Sequence, residues 1–209
     1  MSIAQNPLFT SLRKSFANVT AYTLNGQNII RAKAFNPKNP KTVAQTMQRT
    51  GFKLISQAYQ SFGQYTELGF VERKGNFTAY NAFFAANLQN AIDKTGAEPV
   101  IDYSKLLISK GSLPPVSVSD CVLNDNVITL NYLTKNRLPK VSTTDEIVLL
   151  AILKSGAIYV ARQVRGNEFS DSIELTDRNL NQIDLICCYI FALSADGKRA
   201  SNSVYVEIG

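Results

Sequence analysis

The chain has 209 residues, 45% hydrophobic and 18% charged, with a net charge of +6 and neither histidine nor tryptophan. That composition is globular rather than disordered. The absence of histidine excludes Ser-His-Asp and Cys-His catalysis and removes the commonest metal ligand. No apolar run approaches the ~20 residues needed to cross a bilayer, and the opening MSIAQNPLFTSLRKSF lacks an apolar core ahead of a small-residue cleavage site, so neither a membrane span nor a secretory signal is expected.

Residues 18–35 (NVTAYTLNGQNIIRAKAF) predict a β-hairpin turning at Asn25-Gly26, because a type I′ turn needs positive φ at both central residues. Strand alternation puts Ile29, Arg31, Lys33 and Phe35 on one face and Ile30, Ala32 and Ala34 on the other. After the stiff turn NPKNPKT, Thr42 and Gln45 fit a capping box opening a helix that runs to about Gln60. Ala44, Met47, Ile55, Ala58, Tyr59 and Phe62 form its apolar stripe, with Gln45, Arg49, Lys53, Gln57 and Gln60 on the polar side. Gly51 within it predicts close packing. A second helix is expected from Thr78 to Asp93, ending at Lys94-Thr95-Gly96, followed by a strand from Tyr103 to Ile108 and a linker, SKGSLPP.

From Val116 onward short strands recur at regular spacing: VSVSDCVL, VITLNYL, DEIVLLAIL, AIYVARQV, DSIELT, LICCYIFALS and SNSVYVEI. Seven strands in under a hundred residues predict a β-sandwich of immunoglobulin or fibronectin type. The expected fold class is therefore α+β, with a basic α+β docking domain over 1–112 and an immunoglobulin/fibronectin-like sandwich over 113–209. Cys121, Cys187 and Cys188 are an odd count with an adjacent pair, a poor disulfide framework. They are expected as reduced, buried thiols, only one of the adjacent pair pointing into the sandwich.

Little in the chain carries catalytic chemistry. There is no CxxC, no glycine-rich phosphate loop and no GxSxG elbow. Ser11-Leu12-Arg13-Lys14 and Lys94-Thr95-Gly96 match two short serine β-lactamase strings, but the S-D-N element is missing. Asp120, Asp125, Asp145 and Glu146 could offer oxygen to calcium, although Asp at strand ends is equally a turn residue. No enzyme activity, cofactor or metal is expected.

The charge is uneven. Residues 1–75 hold ten basic and two acidic residues, so the surplus lies entirely in this segment. Arg31 and Lys33 on the hairpin, Lys38 and Lys41 in the turn, and Arg49 and Lys53 on the helix are the candidate anion- or partner-binding residues. An acidic protein surface or a nucleic-acid backbone would satisfy them.

The strings NPKNPKTVAQTMQRTGFKL, GNFTAYNAFFAANLQNAI, IDYSKLLISKGSLP and ADGKRASNSVYVEI resemble an uncharacterised family common in Bacteroidetes and seen in their phages and mobile elements. Its pattern falls here on Asn39, Pro40, Thr42, Gln45 and Arg49, on Thr78 to Asn81, on Ser109 to Pro114 and on Ser201 to Tyr205. The family has no established activity, and its layout is similar to phage structural proteins that append an immunoglobulin-like domain. The resemblance implies a non-catalytic structural component of a multi-subunit assembly, most specifically a virion protein at the capsid, portal or tail, made in the bacterial cytoplasm. Other subunits would be its partners and it would be oligomeric. A cytoplasmic nucleic-acid-binding module is the alternative.

Overall fold

In a computed structural model, the structure describes residues 2–3, 14–16, 18–34, 36, 39–73, 75–134, 138–178, 180 and 184–208. The chain is α+β and mostly antiparallel β, and its contacts divide it into two units, Met1–Thr42 and Val43–Gly209. Among the described residues no helix is long and apolar enough to cross a membrane.

The first unit is a four-stranded antiparallel sheet of β1 (Ser2–Ile3), β2 (Lys14–Phe16), β3 (Val19–Leu24) and β4 (Gln27–Ala32), in the order β1-β4-β3-β2. The β3–β4 hairpin turns where expected. Asn25 and Gly26 adopt φ of 51° and 78°, the left-handed pair of a type I′ turn. Its register places Thr23 opposite Asn28, and the Thr23 hydroxyl donates to Asn28 Oδ1 at 2.9 Å. The two flanking strands have no periodic signal in the sequence, because two or three residues are too short to show one.

The second unit begins with α1 (Val43–Gly69), which ends nine residues after the helix end expected at about Gln60. The apolar period simply continues: Phe62, Thr66 and Gly69 are buried one turn after another. The expected close packing at Gly51 is present, where a Cβ would rest 3.5 Å from Ile92. In contrast, α2 (Ala79–Asn87) stops six residues short of Asp93. Thr78 caps its start by accepting the Asn81 N–H at 3.2 Å. At its end the Asn87 and Asn90 side chains donate to Phe83 and Ala86 carbonyls, closing the last turn. The chain then forms a two-stranded ribbon, β5 (Ile92–Asp93) with β6 (Val100–Ile101). Lys94-Thr95-Gly96 lies in that ribbon's turn rather than at a helix end, Asp93 holding the Thr95 N–H at 2.9 Å. The strand expected over Tyr103–Ile108 is instead a single 3-10 turn, Tyr103–Lys105, because Asp102 captures the Ser104 N–H and starts a turn.

All seven later strands form: β7 (Ser117–Asn124), β8 (Val127–Leu133), β9 (Glu146–Leu153), β10 (Ile158–Val164), β11 (Ser170–Thr176), β12 (Leu185–Leu193) and β13 (Val204–Val206). They make one antiparallel sheet ordered β10-β9-β12-β13 and another ordered β11-β8-β7. Between the two sheets, Ile128, Leu130, Ile147, Leu149, Cys188 and Ile190 belong to one core.

The four-stranded sheet is covered on its other face as well. Ile55 and Phe62 of α1 and Phe83 of α2 share a second core with Val148, Leu150, Tyr189 and Phe191. Hence β9 and β12 are buried on both faces, which explains their unbroken apolar runs, IVLLAIL and ICCYIFAL. Layers therefore run helix pair, four-stranded sheet, three-stranded sheet. The helices expected in a domain ending at 112 lie on the sheet expected in the domain after it, and the contacts divide the chain at Thr42/Val43.

Candidate functional site

The predicted basic residues separate into two sets. Arg31 is exposed on β4 and Lys33 is exposed just past the strand's end, and the Arg31 guanidinium sits 5.8 Å from the centroid of the Tyr22 ring. Lys41 is exposed with φ of 48°, just ahead of α1. Arg49 and Lys53 belong to the other unit, exposed on successive turns of α1 and thus on one face of it. Lys38 lies outside the described residues. Each set is a cationic surface of its own unit.

Two aromatic rings, Phe52 on α1 and Tyr80 on α2, are partly exposed, at 48% and 39%. Phe52 packs 5.5 Å from Phe84, Tyr80 4.4 Å from Phe84, and Tyr59 meets Tyr80 edge-on at 4.9 Å. This row ties α2 to α1 while leaving its outer edge in water. Neither Phe52 nor Tyr80 carries a sequence signal for exposure, since an aromatic beside a helical stripe reads as core.

The motif residues near the chain's middle and end meet in a seam. The Ser109 hydroxyl lies 3.0 Å from the Gly69 carbonyl oxygen and 2.6 Å from that of Ser201. The Ser203 hydroxyl accepts the Ile108 N–H at 3.0 Å, and Leu113 N–H donates to Ala200 O at 2.9 Å. Glu72 Oε1 accepts the N–H groups of Ser112 at 2.7 Å and Ala200 at 3.1 Å. Burial alone would raise that carboxyl, but those hydrogen bonds and the charge of Lys140 hold it below the usual carboxylate range. A Cβ on Gly111 would collide with Ala200 O and Glu72 Oε1, so only glycine fits this crossing. S-K-G-S-L-P and S-N-S-x-Y thus build a junction between the end of α1, the linker and the segment before β13.

The titratable groups most displaced from their ordinary values are structural. Burial pushes the Cys121 thiol up to about 11, helped by Asp120, and Cys187 up to about 12. Cys188 and Tyr189 are driven further in the same direction by burial. Such thiols are poor nucleophiles at neutral pH. All three cysteines are free and buried. As expected, only one of the adjacent pair points into the sandwich: Cys188 faces the three-stranded sheet, while Cys187 faces the helices and is buried too, because both faces of β12 are covered. Of the carboxylates considered for calcium, Asp120 and Asp125 are exposed, Asp145 accepts the Ser142 N–H at 2.8 Å, and Glu146 lies 3.9 Å from Arg162. Among the described residues no cluster of three or more His, Cys, Asp or Glu could hold a metal ion.

A groove of about 480 Å³ opens between the segment after α1 and α2, lined by Phe70, Phe77, Ala82, Ala85 and Ala86, with Arg73 and Lys110 also bordering it.

These features define an α+β chain in which a helix pair covers one of two stacked antiparallel sheets and polar motifs seal the joints. The chain belongs to the family of unknown function DUF6266, whose model matches residues 11–207. No curated protein matches it.

Proposed function

We propose that this chain is a non-catalytic structural component of a multi-subunit assembly, holding neighbouring proteins through basic and aromatic surface. The observation that carries this reading is the α1–α2 face. Phe52 on α1 and Tyr80 on α2 keep large exposed area, and Arg49 and Lys53 project from α1. Aromatic residues and arginine are enriched at the centres of protein interfaces, where they supply most of the binding energy. Leaving such rings in water forgoes about 25 cal/mol for each Å² of apolar area. An acidic, partly apolar protein surface complements this composition.

The strand order supports the finer architectural reading, a sandwich of immunoglobulin or fibronectin type. The first, second and fifth strands pair in one sheet, and the fourth, third, sixth and seventh in the other. A sandwich joined to a docking body is similar in layout to phage structural proteins that append an immunoglobulin-like domain, an analogy of architecture and not of motif. We therefore place the chain in a phage particle, at capsid, portal or tail. Arg31 and Lys33 on the first unit give a second cationic contact to another subunit.

The test is photo-crosslinking from position 52 in producing cells, with a benzophenone amino acid replacing Phe52. Defined protein adducts that disappear with Arg49→Glu and Lys53→Glu, and that recur in purified particles, are the expected result. Adducts removed by nuclease would favour the nucleic-acid reading instead. Absence of adducts would sink both.

A further inference from the structure

We propose that the groove between α2 and the segment following α1 is a docking site for a peptide segment of a partner protein in which a large apolar side chain stands beside carboxylates. The inference rests on the docking reading only for the source of the peptide, and it uses none of the α1 residues invoked there.

The groove exists because of the distribution of bulk along α2. Phe83 and Phe84 fill the buried side, while Ala82, Ala85 and Ala86, spaced i, i+3 and i+4, present a shallow face on another. Phe70 and Phe77 also line the hollow, and Phe77 is 54% exposed. The resulting space, about 480 Å³, lies in the range of ligand pockets and exceeds a single leucine or phenylalanine side chain.

Its border is cationic. Arg73 and Lys110 line it, and among the described residues neither has a carboxylate within ion-pair distance. Glu72 is the acidic residue in the lining, and its Oε1 is already engaged by the N–H groups of Ser112 and Ala200. Lys140 adds positive charge close to that carboxylate. An apolar floor with two unneutralised cations selects an apolar group attached to anions. A small enclosed metabolite would need most of its surface covered, whereas Arg73, Phe77, Ala85 and Lys110 are all exposed. A ligand here stays partly in water, which suits one segment of a longer chain.

The experiment titrates the full chain, methyl-labelled at alanine, with acetyl-Asp-Leu-Phe-Asp-amide and with the control acetyl-Lys-Leu-Phe-Lys-amide. Saturable shifts at Ala82, Ala85 and Ala86 with the acidic peptide only are expected. Ala85→Trp fills the hollow from an exposed position and should weaken binding by about tenfold or more, as should Arg73→Glu combined with Lys110→Glu. Arg49→Glu with Lys53→Glu should leave peptide binding unchanged, which separates failure of this site from failure of the α1 face. Equal binding of both peptides, shifts outside the groove, no shift at millimolar peptide, or full affinity in a folded Ala85→Trp variant would each overturn the proposal.

Discussion

The side-chain amide of Asn87 forms a two-way hydrogen-bonded pair with the backbone of Leu107: Oδ1 accepts the N–H at 2.7 Å and Nδ2 donates to the carbonyl at 2.8 Å. Asn87 is fully buried, so the last residue of α2 supplies the partner that a neighbouring strand would otherwise give this linker. Asn87→Ala leaves the part-buried Leu107 N–H and C=O without this partner, at about 1–3 kcal/mol per group. We expect the unfolding free energy to fall by a corresponding total of about 2–6 kcal/mol, read as a lower urea midpoint with the slope unchanged. A loss under about 0.5 kcal/mol, the scale of an ordinary surface change, would contradict the pairing.

Two glycines of α1 should respond to alanine with opposite sign. At Gly63 a Cβ meets nothing closer than the Tyr59 ring at 3.6 Å, so Gly63→Ala should gain about 0.5–1 kcal/mol from helix propensity. At Gly69 a Cβ would lie 2.5 Å from Ile108 O and 2.8 Å from Ser109 Cα. There Gly69→Ala should lose about 1–3 kcal/mol by forcing the seam apart. Thermal melts of the two variants in parallel decide the matter.

Burial of β9 on both faces has a direct signature. Leu149 faces the three-stranded sheet and Leu150 faces the helices, and each is fully buried. Alanine at either position should therefore cost about 2–5 kcal/mol. In a sheet with one wet face, one of the two substitutions would be nearly neutral in chemical denaturation.

Stability should fall in alkali. Burial raises the Cys121 and Cys187 thiols from an ordinary 9.0 to about 11 and about 12. Below pH 9 both states hold these protons and the contribution is complete. Above it the unfolded chain releases them while the folded chain does not, so stability drops until the folded values are passed, by up to ~1.4 kcal/mol per pH unit for each thiol. Urea midpoints from about pH 8 to about pH 10.5 should show this slope. It should flatten in a Cys121→Ala, Cys187→Ala variant, and an unchanged slope there would refute the assignment.

Part of the candidate site was legible before any coordinates. Helical spacing put Arg49 and Lys53 on one helix face, whereas the strand alternation expected to join Arg31 to Lys33 ends with β4 at Ala32. The helical relation is local and carried by backbone geometry alone. The exposure of Phe52 and Tyr80 was not legible. An α2 of nine residues covers only part of an α1 of 27, and nothing local says which rings it leaves outside. The groove was hidden for the same reason: three alanines on a helix mean a hollow only when neighbouring walls stand around them. Lys110 entered as part of a motif, without a hint that it borders an apolar floor.

What the chain's order of residues settled alone was short-range: the Asn25-Gly26 turn, the start of the second helix at Thr78 and the seven later strands. Each depends on φ preference, a nearby donor or a period of two. Tertiary packing decided the rest. It covered both faces of β9 and β12, which buried both adjacent cysteines. It also let α1 run on to Gly69, where its end is trapped against Ile108 and Ser109, and it turned scattered serines and glycines into one hydrogen-bonded joint. Those outcomes depend on which distant surfaces meet, and a long-range meeting is chosen by the total apolar area and polar pairing it satisfies, a quantity no local window contains.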